Sequence, residues 1–169
     1  MPNISLFLID FLQNSFIVII KSIWPIFVFI FIWFLAKLAI KLYQLNKFKQ
    51  ANMFEIDKMN GTEFERYLEL LFQKQGYKVI RVGSPEDDYG ADLIITKDSL
   101  TTAIQAKRHN SLIGVDAVRE VHGSIKMYNC KKGMVVTNSY FTDQAKILAK
   151  ANDIELWDRK MLANKISTK

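Results

Sequence analysis

The sequence has very little of several residue types that mark common classes of protein. Its 169 residues include one cysteine, two histidines and three prolines. The single cysteine, Cys130, excludes an internal disulfide and agrees with a reducing compartment. It follows Asn129 in a predicted loop without a local acid or base pattern, which argues against a catalytic thiol. The chain also lacks internal repeats and low-complexity segments, which excludes a repeat architecture.

Charge is nearly absent from residues 11–36, where Lys21 is the only charged residue. From Ser22 the chain continues SIWPIFVFIFIWFLA, and a helix of that length rises only about 22 Å, against roughly 30 Å of bilayer hydrocarbon. Extending the span back to residue 16 supplies the missing length if Lys21 reaches the interface. Residues 16–36 are therefore predicted to form a transmembrane helix.

Two other interpretations of this apolar segment are weaker. In a secretory signal peptide, basic residues precede the apolar run and a small-x-small cleavage site follows it, whereas here Asp10 precedes the run and no such site follows. In a buried core helix of a soluble protein we expect a polar face, whereas residues 26–35 are apolar all round. The membrane-spanning interpretation is therefore preferred.

The charges around the span predict its orientation and the domain plan. Lysines follow the span and only an aspartate precedes it outside the apolar run, so the positive-inside rule places the C-terminal part in the cytoplasm. We expect a single-pass protein of the cell membrane, with residues 1–15 as a short extracytoplasmic N-terminus. Residues 37–56 are expected to form a basic, amphipathic connector, and residues 57–169 one compact domain. The lysines concerned are Lys37, Lys41, Lys47 and Lys49.

The soluble domain reads as one helix, three strands, and then alternating helices and strands, in the order αβββαβαβα. Asn60 is predicted to cap the first helix, with Glu63 as its capping-box partner, and Gly76 to end it. The fold class is therefore α/β, or mixed α+β: an antiparallel hairpin continued by parallel strands, with helices on the sheet.

The stretch DDYGADLIITKDSLTTAIQAKR, residues 87–108, brings chemically useful side chains together. A short turn joins two strands, so they pair antiparallel, and the second strand returns towards the beginning of the first. Gln105 and Lys107 share one face because side chains alternate along a strand, and the hairpin carries them towards Asp92. Two side-chain oxygens that can bind a metal ion and one ammonium group are thus expected at one edge of a sheet.

This set of groups suits hydrolysis of a phosphodiester. A divalent metal activates water and neutralises charge on the phosphate, and Mg²⁺ prefers carboxylate and carbonyl oxygens. Asp92 and Gln105 supply such oxygens, and Lys107 a positive charge for the transition state. A further acid is expected from the first helix. Glu63 is accounted for by capping, which leaves Glu65.

Residues 57–162 resemble the catalytic domain of Mrr-like restriction endonucleases, within the PD-(D/E)xK nuclease superfamily. The resemblance implies a restriction-endonuclease-like core and a metal-dependent site. It assigns the metal ligands to Glu65, Asp92 and Gln105 and a catalytic role to these three with Lys107, although Asp88 also matches the loop aspartate. The matching stretches, in the order of the family, are GTEFERYLELLFQKQGYKVIRVG, DDYGADLIITKD, AIQAKRHN, IGVDAVREVHG, VVTNSYFTDQAKILAKAN and IELWDRKML.

One residue departs from the superfamily pattern. The usual second carboxylate is Gln105 here, as in the Mrr-like branch, and a neutral ligand attracts the metal less strongly. The cofactor implied is Mg²⁺, with Mn²⁺ as a substitute. Contacts to DNA are expected from Asp88, Arg108, His109 and Asn138. A solvated turn is the simpler interpretation of Asp88 and a surface histidine that of His109, whereas a strand-end turn is an equal alternative for Asn138.

The function predicted is a membrane-tethered, Mg²⁺-dependent DNA endonuclease of the type IV restriction kind, acting in restriction or defence against foreign DNA. The alternative is a non-cutting nucleic-acid-binding or signalling module with the same fold, since fold does not fix activity. No separate recognition domain is evident in the sequence, so specificity is expected in loops, in a homo-oligomer or in another protein.

Overall fold

A computed structural model describes residues 21, 23–40, 42, 52–83 and 89–167. The chain divides into two compact units, Met1–Lys47 and Phe48–Lys169. The predicted N-terminal segment 1–15, half of the connector and Asp88 lie outside the described residues.

The described part of the N-terminal unit is a helix, α1 (Ile23–Ile40), which overlaps the predicted span. It carries apolar side chains on all sides, and all of them are exposed. Within the described residues it is the one helix long and apolar enough to cross a membrane. A signal sequence has the same length and composition, so membrane insertion remains a prediction.

The second unit contains five helices and five strands in its described residues. The order αβββαβαβα predicted for residues 57–169 is confirmed from α3 onward, and α2 precedes it. The bounds are α2 (Met53–Asp57), α3 (Gly61–Lys74), β1 (Lys78–Arg81), β2 (Leu93–Lys97), β3 (Leu100–Lys107), α4 (Val115–Met127), β4 (Lys132–Thr137), α5 (Asp143–Ala151), β5 (Ile154–Trp157) and α6 (Arg159–Ser167).

The strands form one mixed sheet in the order β1-β2-β3-β4-β5. The first three pair antiparallel, and β3, β4 and β5 pair parallel, as the α/β prediction with a hairpin requires. The hairpin turn is Asp98-Ser99, with φ angles of 49° and 64°. Two left-handed central residues are the signature of a type I′ turn, whose twist suits a two-residue hairpin.

Alternate residues of the sheet pack against helices on its two faces. On one face, Ile104 lies in a core cluster with side chains of α3 and α6, such as Phe72 and Leu162. On the other face, Ala103 lies with side chains of α4 and α5, such as Val118 and Ala145. Because side chains alternate, Gln105 and Lys107 lie on the α4 face with Ala103.

Local sequence signals account for the beginning and end of α3. The Asn60 side chain accepts from the Glu63 amide at 2.9 Å, and the Glu63 side chain accepts from the Asn60 amide at 2.9 Å, which confirms the capping box. Gly76, with φ of 85°, ends the helix. Ahead of α3, Ile56 of α2 is fully buried in the α3 core cluster, so the last residues before the predicted domain contribute to its core.

Candidate active site

The hairpin brings Asp92 and Gln105 into direct contact. Leu93 pairs with Ile104 across the two strands, which places Asp92 opposite Gln105 one step further along. The Asp92 Oδ2 accepts hydrogen bonds from the Gln105 Nε2 at 2.9 Å and from the Ala106 amide at 2.7 Å. The carboxylate is therefore held at the edge of the sheet by donors from the neighbouring strand.

Among the described residues, the Gln105 side-chain oxygen lacks the hydrogen-bond partner that a buried acceptor usually has. Only 3% of the residue is exposed, and its Oε1 is buried without a hydrogen-bond partner among the described residues. Because a carboxylate can only accept hydrogen bonds, the Gln105 amide turns its NH₂ group towards Asp92, and its Oε1 is left for another donor or a cation. A buried acceptor without a partner costs about 1–3 kcal/mol, which a hard cation would remove. The residues therefore fit Mg²⁺, with one carboxylate and one neutral oxygen.

Lys107 lies two residues beyond Gln105, so both side chains project from the same face of β3. Its Nζ lies 2.7 Å from the Glu120 Oε2 of α4. The sequence analysis did not identify Glu120. No motif marks this residue, since its place at the site depends on how α4 packs on the sheet.

Glu65 lies on α3, on the other side of the sheet from α4, and its Oε2 is 2.8 Å from an Arg81 guanidinium nitrogen. Arg81 pairs with Leu93, so this ion pair is at the same end of the sheet as Asp92. In the described residues, no group of three or more histidine, cysteine, aspartate or glutamate side chains is arranged to hold a metal. Glu65 would have to leave Arg81 to become a ligand.

The loop before Asp92 packs closely against α4. Gly90 has a φ of 78°, and a Cβ atom there would lie 2.4 Å from the Glu120 carbonyl oxygen. Only glycine meets both conditions without strain. The backbone of Glu120 and the loop that carries Asp92 are therefore fixed against each other.

Three of the residues predicted to contact DNA, Arg108, His109 and Asn138, belong to a polar network at the carboxyl ends of β3 and β4. Arg108 donates to the main-chain carbonyl of Asp57. The Asn138 Nδ2 donates to the Asp57 Oδ1 at 2.9 Å, and its Oδ1 accepts from the His109 amide at 2.9 Å. The Arg108 and Asn138 side chains thus have structural partners. The His109 residue is exposed, and its Nδ1 accepts from the Ser111 amide at 3.2 Å.

Asp57 and Arg159 hold this network together, and the sequence analysis identified neither. Arg159 donates from both terminal nitrogens to the two carboxylate oxygens of Asp57, each at 2.7 Å. Hydrogen bonds from Arg159 lower the pKa of Asp57, and this effect exceeds that of burial, which raises it. The hydrogen bond from Asn138 also lowers the pKa. The same pair raises the pKa of Arg159.

A pocket of about 390 Å³ opens beside this network. Pockets at the carboxyl ends of parallel strands are common ligand sites in α/β proteins. The pocket lies beyond the end of the strand that carries Lys107, and Asp92, Gln105 and Lys107 are not among its lining residues. It is lined by Asp57, His109, Asn110, Asn138, Ser139, Tyr140 and Arg159.

Comparison with solved structures shows the same fold in a restriction endonuclease. The DNA modification-dependent restriction endonuclease AspBHI is 22% identical, with a TM-score of 0.54 over 71% of this chain and 35% of its own. The MspJI restriction endonuclease in complex with a 27-mer oligonucleotide is 20% identical, with a TM-score of 0.44 over 60% of this chain and 26% of its own. A protein of unknown function, AF1548, is 16% identical, with a TM-score of 0.49 over 56% of this chain and 55% of its own. The chain thus matches about half or less of each of these proteins.

Comparison with families covers most of the second unit. A search of curated proteins found no match to the chain. The family model of the restriction endonuclease catalytic domain, Mrr_cat, matches residues 56–166, which include every described element from α3 to β5 and most of α6. The chain therefore belongs to the Mrr-type restriction endonuclease family.

Proposed function

We propose that this chain is a metal-dependent endonuclease that hydrolyses phosphodiester bonds of DNA. The observation that carries the proposal is the Gln105 amide, which donates to the Asp92 carboxylate while its own buried Oε1 has no partner within the described part of the chain. This is an arrangement of one anionic and one neutral oxygen at a sheet edge, which suits a small hard cation. Membership of a restriction endonuclease family supports the same activity.

Each residue has a distinct task in this proposal. Asp92 and Gln105 would hold Mg²⁺, or Mn²⁺ in its place, with Glu65 as a third ligand. A cation held there supplies a water of lowered pKa and neutralises charge on the phosphate. Lys107 presents its ammonium to the charge that develops on the phosphate oxygens. The Ala106 amide keeps the Asp92 carboxylate in place by a hydrogen bond of 2.7 Å.

DNA binding is proposed for the surface around the Asp57 network. Arg108 and His109 follow Lys107 directly, and Asn138 follows the parallel partner of Lys107 on β4. Their backbone is held at the strand ends, so a phosphate beside Lys107 would lie within reach of this segment. Asp88, outside the described residues, belongs to the loop before Asp92 and is proposed on sequence position alone.

The biological setting is also a proposal. We place the protein in the cell membrane as a single-pass chain with its nuclease unit in the cytoplasm, where it would act as a type IV restriction-like enzyme in defence against foreign DNA. A homo-oligomer is the simplest way to cut both strands, since the described residues of one chain form one candidate site.

The test is a cleavage assay with the full-length chain in detergent, on methylated and unmethylated plasmid, across a Mg²⁺ titration. Asp92→Asn keeps the shape of the side chain and removes the charge, so we expect its rate to fall by about 10²-fold or more, the scale for loss of one electrostatic group. Asp143→Asn is the matched control because Asp143 is an exposed aspartate on α5, paired with Lys146 at 2.9 Å. This control is expected to cut like the wild type.

Two results would overturn the proposal. If folded Asp92→Asn cuts at the wild-type rate at matched Mg²⁺, the site is elsewhere. If the wild type binds plasmid but does not cut it with Mg²⁺ or Mn²⁺, the non-cutting nucleic-acid-binding module is the better description.

A further inference from the structure

Glu120 is an acidic residue that the proposed chemistry does not use, yet it contacts the candidate catalytic lysine. The 2.7 Å separation of its Oε2 from the Lys107 Nζ is a hydrogen-bonded ion pair. The two side chains are 42% and 33% exposed. Pairs this exposed contribute roughly 0–1 kcal/mol to stability, so folding gives little reason for the contact.

Two packing contacts hold the Glu120 backbone in place, although Glu120 itself is exposed. Its neighbour Val121 is fully buried against the sheet, and so is Val118 one turn earlier. From the other side, Gly90 approaches the Glu120 carbonyl so closely that no Cβ atom fits. The Glu120 carboxylate therefore projects from a helix that is packed on the sheet. The backbone of this helix is also in close contact with Gly90, two residues before Asp92.

A lysine ammonium has no fixed position of its own, because it lies at the end of a flexible four-carbon stem. A charge that stabilises a transition state acts best when it is already in place before the reaction. Lys107 thus needs an anchor at the edge of the sheet. Glu120 supplies a charged acceptor for one of its three donors and leaves the others for substrate.

From this geometry we infer that Glu120 is the positioning residue of the active site: its carboxylate holds the Lys107 ammonium in place for the phosphate. The inference rests on the proposed nuclease function and deepens it. Glu120 acts through Lys107 and does not touch substrate or metal. The neutral variant Glu120→Gln therefore loses rate only where Lys107 is present.

The test is a double-mutant cycle on full-length protein, with cleavage measured in single turnovers at saturating protein and Mg²⁺. We expect Glu120→Gln to lower the rate by about 10-fold to 100-fold, the range for residues that orient a site group. In the Lys107→Ala background the same substitution should change the rate by no more than about 2-fold, since residues that act as a unit are not additive. Asp116→Asn removes the same charge one turn earlier on α4, from a side chain 82% exposed, and should cut like the wild type.

Two measurements distinguish positioning from other roles of Glu120. The metal-free affinity for the plasmid and the Mg²⁺ concentration at half-maximal rate should each stay within about 3-fold of wild type, less than the 10-fold loss expected for a residue that orients a metal ligand. A larger shift in the Mg²⁺ requirement would make Glu120 a metal ligand and overturn the inference. An equal loss of rate with and without Lys107, or a wild-type rate for Glu120→Gln, would overturn it while the nuclease function stands. A wild type that cuts no DNA would overturn both.

Discussion

At the scale of single residues, Gln105 combines two tasks that a carboxylate in its place could not. Its NH₂ group donates to Asp92 at 2.9 Å, and its oxygen remains for a cation. A glutamate there would have no donor for Asp92, and the two charges would repel at hydrogen-bond distance. The neutral side chain therefore holds Asp92 in place by a hydrogen bond without like-charge repulsion, and it brings one negative charge fewer to the site.

This difference makes a prediction for Gln105→Glu. Without metal, the variant should have a lower Tm than the wild type, because like charges adjoin and the hydrogen bond to Asp92 is lost. One kcal/mol shifts Tm by about 4–8 °C in a domain of 60–100 residues, so a fall of several degrees is expected. Added Mg²⁺ should raise the Tm of the variant by more than that of the wild type, because a ligand that binds only the folded state stabilises it.

Thermal unfolding of the full-length variant with EDTA and with Mg²⁺ measures both effects. Gln144→Glu is the control, since it makes the same change on the exposed first turn of α5. A Gln105→Glu protein whose Tm responds to Mg²⁺ no more than the control would place the metal elsewhere.

The residues of the site differ in how far the sequence predicts them. Asp92, Gln105 and Lys107 lie on two strands joined by a two-residue turn, so the two-residue alternation of side chains is enough to bring them together. Glu120 and Arg159 come from helices whose docking depends on the packing of the whole core. Asp57 and Arg159 are 102 positions apart, and no local pattern connects them.

At the scale of elements, the close contact between Gly90 and α4 links two parts of the site. One part is the segment that leads to Asp92, and the other is the helix that carries Glu120. Gly90→Ala introduces a left-handed alanine and a Cβ atom 2.4 Å from the Glu120 carbonyl oxygen. We expect a loss of about 2 kcal/mol or more in the free energy of unfolding, because the strain and the overpacking each cost about 1–2 kcal/mol. The cleavage rate should fall as well, since Asp92 and Glu120 move apart.

Gly123, on the same helix, provides a control of opposite sign. A Cβ atom there would meet nothing within 4 Å. Gly123→Ala should therefore stabilise the protein by about 0.5–1 kcal/mol through helix propensity, with the cleavage rate unchanged. Denaturant unfolding compares the two variants. Equal stabilities would show that the loop does not pack on α4 as described.

A second joint between elements is the Asp57 network, which links α2, α6 and the end of β4. The pKa of Asp57 is held below the usual value of 3.8, chiefly by Arg159. A depressed pKa in the folded state means that the pair stabilises the fold above about pH 3.8, and that this contribution is lost as the pH falls through the folded value.

Asp57→Asn should therefore be less stable than the wild type near pH 7, and the difference should shrink in acid. Hydrogen bonds to charged groups contribute about 1.5–3 kcal/mol, and the lower end is expected because the Asp57 side chain is 36% exposed. Urea unfolding at a series of pH values from about 7 to 3 measures the two curves, with the exposed-site variant Asp143→Asn as reference. If the free energies of unfolding of the wild type and Asp57→Asn changed equally with pH over that range, the Asp57–Arg159 pair would not be a pH-dependent source of stability.

At the scale of the whole molecule, the chain joins an apolar helix to a domain of the restriction endonuclease family, and the sequence alone predicts this plan. Fifteen consecutive uncharged residues are visible without any structure. The fold of the second unit was equally predictable, since its capping box, hairpin turn and strand periods are local signals. The charges beside the apolar stretch predict which side of a membrane that unit faces, because lysines follow the stretch.

The last prediction concerns that orientation. Lys37 lies just past the predicted span, with its Nζ 3.9 Å from the centroid of the Trp33 ring, an arrangement typical of residues at a membrane interface. A reporter that is active only outside the cytoplasm, fused after Lys169, should give no signal, and a reporter that is active only inside should give a full one. Replacing Lys37, Lys41, Lys47 and Lys49 with glutamine removes the positive charge that sets the orientation, so part of the population should then invert. A strong outside signal from the unaltered chain would place the catalytic unit away from cytoplasmic DNA, and the nuclease would need a substrate on that side.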